Sequence, residues 1–189
     1  LPKGKALPSA TSTTERLSNE TTISRGIGER LRYSPDGKDF IKIYRILNKE
    51  CKSVRVNVKV GQLSTSSKDA GTIGDVLATS VVYQIYKRPI VSIQGADSEF
   101  VLFTQEEIKG KISYGYIRST RVVLKITDTK SLFYKKFAHL LDNIIGWEIK
   151  IVRITPDSID SATRNQTYID SITEIYGDTF SYPCSAIVS

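Results

Sequence analysis

Val54, Val56, Val58 and Val60 alternate without a break against Arg55, Asn57 and Lys59. Period two puts one residue set on a buried sheet face and the other in water, so this run predicts a half-buried strand with a basic outer face. Trp147-Glu148-Ile149-Lys150-Ile151 repeats the pattern and predicts another strand. Ile112–Arg118 and Arg121–Thr127 also alternate, and Ser119-Thr120 between them predicts a tight hairpin connection. Phe40–Leu47 is apolar enough for a buried strand or a short helix. Glu99–Thr104 reads as a buried edge strand or an exposed hydrophobic loop, and Thr167–Tyr176 fits neither period cleanly.

Two segments carry helical spacing. Ile73, Val76, Leu77, Val81 and Ile85 form one stripe behind Thr72 and Asp75, which stand at capping-box distance. This predicts a helix that Pro89 ends, with Lys87 and Arg88 at its carbonyl end. A second helix is predicted from Leu132 to Ile145, with Phe137, Leu140, Leu141 and Ile144 inward and Gly146 as a left-handed stop. Helices interleaved with strands that keep one wet face predict an α+β fold. The expected architecture is a single compact domain, mainly antiparallel sheet packed with two principal helices, behind a flexible N-terminal arm. Residues 1–30 form that arm, and Ser, Thr, Pro and Gly dominate its first 25 positions. The globular part spans 31–178, opening near the turn signal Ser34-Pro35-Asp36-Gly37, and 179–189 is an irregular tail.

Charge adds a direction to this picture. Of 27 Lys and Arg residues, 26 precede Thr155 and face 15 acids there, whereas the last 35 residues hold one base and five acids. The net charge of +7 and a pI near 9.3 favour a polyanionic partner, nucleic acid or anionic lipid, over an acidic small substrate. No apolar run reaches the length of a membrane span, and no N-terminal apolar stretch directs export. The absence of Met suggests a trimmed start. Cys51 and Cys184 read as two free thiols in a reducing compartment.

Reactive chemistry is sparse. His139 is the single histidine, and it lies on the polar side of its predicted helix, so no nucleophile has a positioned imidazole base. Glu106-Glu107 is the nearest approach to a metal site and lacks partners at ligand spacing. The expectation is a protein without enzymatic activity, cofactor, metal or small-molecule substrate. The suggestive residues are cations: Lys3, Lys5, Lys49, Lys52, Arg55, Lys59, Lys87, Arg88, Lys109, Lys111, Arg118, Arg121 and Lys125. They are expected on a single docking surface, with Tyr114 and Tyr116 among them. Pro8 in the arm, with Phe100, Val101, Leu102 and Phe103, is the candidate self-association surface.

Several segments resemble the matrix proteins of rhabdoviruses. Ser34-Pro35-Asp36-Gly37 and the apolar-basic run after it are similar to the opening of lyssavirus members. Val56–Leu63, the stripe Ile73–Ile85 and Lys87-Arg88-Pro89 resemble the strand, helix and Lys-Arg-Pro order of vesiculovirus members. Arg121–Thr127, Phe133–Ile145, Glu148-Ile149-Lys150-Ile151 and Tyr168-Ile169-Asp170-Ser171-Ile172 follow in the family's sequence. The resemblance spans about residues 31–176. It implies a structural virion protein beneath the envelope, at the inner membrane face and in host cytoplasm and nucleus. Its implied partners are anionic membrane lipids, the viral ribonucleoprotein, further copies of itself and a glycoprotein tail, and it would drive assembly and budding. Arg55, Lys59, Lys87, Arg88, Lys109, Lys111, Arg118 and Arg121 would carry lipid and ribonucleoprotein binding. No Pro-Pro-x-Tyr motif is present, and Pro8-Ser9-Ala10-Thr11 falls one residue short of a Pro-Ser-Ala-Pro motif. The competing class is a basic nucleic-acid-binding viral protein of coat or movement type.

Overall fold

The computed structural model describes residues 16–18, 21–33, 35, 40–69, 71–92, 99–124, 130, 132–176 and 179–181. Lys3, Lys5, Pro8, Lys125 and Cys184 lie outside them. In chain order the elements are β1 (Arg16–Ser18), β2 (Thr21–Leu31), β3 (Lys42–Ile46), β4 (Cys51–Val60), β5 (Ser64–Ser66), β6 (Val76–Leu77), β7 (Thr79–Val91), β8 (Val101–Gly110) and β9 (Tyr116–Val123). After them come α1 (Leu132–Phe137), a 3₁₀ turn over Ala138–Asn143, β10 (Ile144–Arg153), β11 (Thr163–Arg164), β12 (Thr167–Tyr176) and β13 (Thr179–Ser181).

The described strands build two four-stranded antiparallel sheets, ordered β3-β10-β7-β8 and β2-β12-β4-β9. Their inner faces share one core. Val54, Val56, Val58, Val60, Val122, Ile169 and Ile172 come from the second sheet, and Val81, Tyr83, Ile85, Trp147, Ile149 and Ile151 from the first. This is a β-sandwich, the arrangement in which each sheet hides one face against the other. The expected α+β fold with two principal helices is therefore corrected.

The first expected helix is strand β7. Val81 and Ile85 are four residues apart, a separation that satisfies both the helical and the strand period. Tyr83 between them decides the matter, because it is fully buried while Ile73, Val76 and Leu77 of the supposed stripe are exposed. Inward residues run Val81, Tyr83, Ile85, Lys87, Pro89, a strict period of two. Pro89 sits beyond the last β8 register pair, Lys87 with Val101, where one flank of the strand needs no donor.

The second expected helix shrinks to α1 and the 3₁₀ turn, and Ile144 and Ile145 already belong to β10. Gly146 is not a left-handed stop. A Cβ there would lie 2.4 Å from the Ile46 carbonyl oxygen and 3.2 Å from Leu47 Cα, so glycine is needed for the close approach of β3 to β10. The expected hairpin about Ser119-Thr120 is also replaced. Both residues lie inside β9, which pairs with β4 from Ser53–Val123 to Val60–Tyr116. The strand expected at Val54–Val60 is β4, and that at Trp147–Ile151 is the middle of β10. Phe40–Leu47 contains β3, and Thr167–Tyr176 is β12, a central strand buried on both faces near its end. Residues 21–31, placed in the flexible arm, form β2 and pair with β12 along its length.

Both open sides of the sandwich are closed by ion pairs between edge strands. Arg118 of β9 holds Glu106 of β8 at 2.9 Å, and Lys42 of β3 holds Glu29 of β2 at 2.7 Å. Between them, Arg153 of β10 is almost fully buried and reaches the other sheet. Its guanidinium donates to the Leu31 carbonyl at 3.4 Å and to Thr167 Oγ1 at 3.2 Å. It also donates to the Thr155 and Pro156 carbonyls and pairs with Asp157 at 3.2 Å. Burial pulls the Arg153 pKa below its usual value, with Asp157 opposing and Arg30 reinforcing that pull.

Candidate recognition site

The cations singled out from sequence do not share one face. Arg55 and Arg121 stand directly opposite each other on the outer face of the β2-β12-β4-β9 sheet, with Lys59 further along β4. Arg121 donates to Ser53 Oγ at 2.9 Å. Lys87 points inward, 8% exposed, and donates to the Val123 carbonyl of the other sheet at 2.7 Å. Its ammonium lies 5.3 Å from the Phe103 ring and 5.8 Å from Trp147. Burial brings its pKa down to about 8.

Arg88 is on the opposite outer face. It and Arg45 both donate to the carboxylate of Glu148, at 2.5 and 2.6 Å. Burial pushes the Glu148 carboxyl up, but the hydrogen bonds and charges of the two arginines bring it below the usual range. Arg118 is an edge clip, Lys109 and Lys111 are exposed near the end of β8, and His139 is exposed. A single basic docking surface is thus corrected: the fold distributes these residues over two opposed faces, an edge and the interior.

The candidate self-association patch is divided as well. Phe103 packs against the core, whereas Leu102 is exposed on the edge strand β8. Phe100 lies under Arg88 and Lys150, at 4.3 and 4.6 Å from its ring centre. Cys51 is a free, buried thiol. Among the described residues no three His, Cys, Asp or Glu side chains gather where they could hold a metal ion, and no helix is long and apolar enough to cross a membrane.

What the fold does gather is three connections at one end of the sandwich. The β4–β7 excursion, the β10–β12 connection and the β8–β9 connection meet there. Strands β11, β5 and β6 form a small sheet that ties the first two, and a bridge between Leu63 and Ile112 ties in the third. Further bonds fix them: the Ser66 N–H to the Ala162 carbonyl at 2.9 Å, the Val82 N–H to Thr155 Oγ1 at 2.7 Å, and an ion pair of Lys68 with Asp160. Asn165 accepts from the Ser158 N–H and donates to the Pro156 carbonyl, which shapes the 156–165 turn from within. This fixed scaffold leaves large apolar side chains in water: Tyr114 at 88% exposure, Ile73 at 74% and Ile159 fully, with Val76 and Leu77 beside them.

A cleft of about 590 Å³ opens at the same end, lined by Arg30, Gln62, Ile159, Arg164, Gln166 and Tyr168 among others. Arg164 donates to the Gln62 side-chain oxygen, and the Tyr168 hydroxyl donates to Gln166 Oε1 at 3.0 Å. Sequence reasoning missed this group, since its members come from three stretches far apart in the chain, at 30, 61–62 and 158–168. One signal was present: Arg164 is the single base among the last 35 residues, alone in an acidic stretch.

The family model of the FNIII-A domain of tip attachment protein J matches residues 40–178. The chain belongs to this family. Membership overturns the resemblance to rhabdovirus matrix proteins, and with it the expected bridging of anionic lipid and ribonucleoprotein, self-association and budding. The nucleic-acid-binding alternative gains no support from it either. The virion location holds at the coarse level: the protein is a component of a virus particle. The places expected beneath an envelope, in host cytoplasm and in the nucleus fall with the matrix assignment.

Among solved structures, the chain is similar to the receptor-binding domain of the spike protein P1 from bacteriophage PM2. The identity is 11% and the TM-score 0.39, over 82% of this chain and 93% of that one. The stem and receptor-binding domain of the same spike gives 12% identity and a TM-score of 0.35, over 80% of this chain and 64% of that one. A chain of the T13 IBDV viral particle gives 10% and 0.36, over 96% of this chain and 37% of that one. Likenesses this distant carry no functional weight. No curated protein sequence matches the chain.

Proposed function

We propose that this chain is a recognition module of a virion attachment protein, acting by binding and without a catalytic step of its own. The observation that carries this reading is the loop end. Three connections are fixed to one another by a small sheet and the Leu63–Ile112 bridge, yet their tips hold Ile73, Tyr114 and Ile159 in water, where burial on a partner would be favourable. Each such side chain contributes about 1.5–3 kcal/mol when fully buried, so three together are enough to anchor an interface. Membership in the tip attachment family supports the same reading.

The test is a Tyr114→Ser, Ile159→Ser double variant of the attachment protein, followed into particles. Particles are expected to incorporate the variant normally and to adsorb to host cells at least tenfold more slowly. Unchanged adsorption would refute the proposal. So would failed incorporation of a folded variant, because the loop end would then be a docking surface inside the particle.

A further inference from the structure

We propose that the cleft at the loop end binds an acidic saccharide, a sugar carrying a carboxylate or a phosphate group; the assignment rests on that end being the recognition surface. Arg30 of β2 and Lys59 of β4 are the direct cross-strand neighbours of Tyr168 on β12. Arg30 and Tyr168 both line the cleft, whereas the Lys59 stem runs toward Gly115 on the far side of β4. Arg164, on β11, brings a second guanidinium to the cleft wall.

Negative charge around the cleft does not balance them. The Asp157 carboxylate is divided among the Tyr33 N–H at 3.0 Å, Arg30 at 3.5 Å and Arg153 at 3.2 Å, one anion facing two guanidinium groups. Asp160 is engaged by Lys68, and Arg164 is held by the neutral amide of Gln62. Arg30 Nε and Asp157 Oδ1 are both buried without a hydrogen-bond partner, so the one carboxylate beside Arg30 does not satisfy its donors. An oxyanion suits the guanidinium groups of Arg30 and Arg164, because a guanidinium presents parallel N–H donors at the spacing of two carboxylate or phosphate oxygens.

The rest of the lining indicates what carries the anion. Gln62 and Gln166 each offer a donor and an acceptor, the pairing that sugar hydroxyls require. Tyr168 is steadied by its bond to Gln166 and supplies a flat apolar face beside them. The volume of about 590 Å³ falls within the range of small-ligand sites.

The experiment is calorimetric titration of the full chain with four probes: trigalacturonate, mannose 6-phosphate, neutral maltotriose and an oligoglutamate. At least one acidic sugar is expected to bind at low salt and to weaken as salt rises. Trigalacturonate alone identifies the carboxylate source, and mannose 6-phosphate alone the phosphate source. Maltotriose and oligoglutamate are each expected to bind at least tenfold more weakly. Arg164→Gln alters an exposed side chain, should keep the parent melting temperature, and should cost about tenfold or more in affinity.

Binding by neither acidic sugar overturns the proposal, as does unchanged affinity in Arg164→Gln. Equal affinity for maltotriose removes the anion, and equal affinity for oligoglutamate removes the sugar. If sugar binding fails while the Tyr114→Ser, Ile159→Ser particles still adsorb poorly, only the cleft assignment falls. If the sugar binds while those particles adsorb normally, the apolar loop tips lose their role and the cleft stands.

Discussion

Replacing Lys87 by Met should remove a pH-dependent component of stability whose size follows from its place in the core. Lys87 is 8% exposed, with its ammonium between Phe103, Trp147 and the Val123 carbonyl, and burial brings its pKa from the usual 10.5 to about 8. The folded chain therefore releases this proton more readily than the unfolded one. Between pH 8 and 10.5 the unfolded state binds more protons, so stability rises with pH there, and below pH 8 the folded state carries the full penalty. At about 1.4 kcal/mol per pH unit of displacement, that penalty is about 3 kcal/mol, of which about 2 kcal/mol is recovered between pH 7 and 9.5. Tyr44, Tyr83 and Tyr176 work in the other direction. Burial, reinforced for Tyr44 and Tyr176 mainly by a neighbouring glutamate, pushes each up to about 12, so stability falls once unfolded tyrosines ionise near pH 10. Because parent and Lys87→Met share the tyrosines, the difference between their curves isolates the lysine. Urea unfolding can be followed by the fluorescence of Trp147, the chain's one tryptophan. The parent is expected to gain about 2 kcal/mol on the variant between pH 7 and 9.5. A difference constant to within 0.5 kcal/mol, on the order of the uncertainty of such extrapolations, would mean that the ammonium is hydrated and the inward assignment of Lys87 is mistaken.

Gly146→Ala should destabilise by about 1–3 kcal/mol, since the new methyl meets the Ile46 carbonyl oxygen, a backbone atom that moves only with its whole strand. Thermal denaturation measures it, and an unchanged melting temperature would refute the close approach of β3. Glu148→Gln should flatten the acid limb of the stability curve. The carboxyl of Glu148 is held below its usual range, so its contribution is present above the unfolded value of about 4.3 and is lost as pH falls through the lower folded one. Parent and variant curves that run parallel from pH 6 to 3 would show that Arg45 and Arg88 do not stabilise the charge.

The legible parts of the fold were those where one period had no competitor. In β4 Val54, Val56 and Val58 are each followed by a polar residue, and only a strand accounts for that; β10 repeats the case around Ile149. Between Ile73 and Pro89 two periods compete, because residues four apart coincide in both, and the burial of Tyr83 settles it only when the second sheet is present to bury it. Gly146 read as a helix stop for the same reason: what it accommodates is the Ile46 carbonyl, a hundred residues away in sequence. Ser119-Thr120 carried turn chemistry, but pairing of β9 with β4 outweighed it. The cleft was less legible still, since Arg30, Gln62, Arg164 and Tyr168 become neighbours only after β2, β12 and the small sheet are paired.

Counting cations predicted a docking face, and the reason it did not yield one is structural. Two stacked sheets bury their facing sides but leave both flanks open, and a long side chain with an apolar stem and a charged tip is suited to cross such a gap. Arg118 and Lys42 close the flanks with Glu106 and Glu29, Arg153 reaches the Leu31 carbonyl through the interior, and Lys87 reaches that of Val123. Arg45 and Arg88 converge on Glu148 across three strands of one sheet. These groups take part in holding the sandwich, so their charge is spent on neighbours within the chain. Arg30 and Arg164 differ in kind. They line the cleft with Tyr168 at the loop end, where the nearby carboxylates are shared with Arg153 or taken by Lys68. A basic residue is therefore informative about a partner to the extent that the fold leaves its charge unanswered, which a charge total does not show.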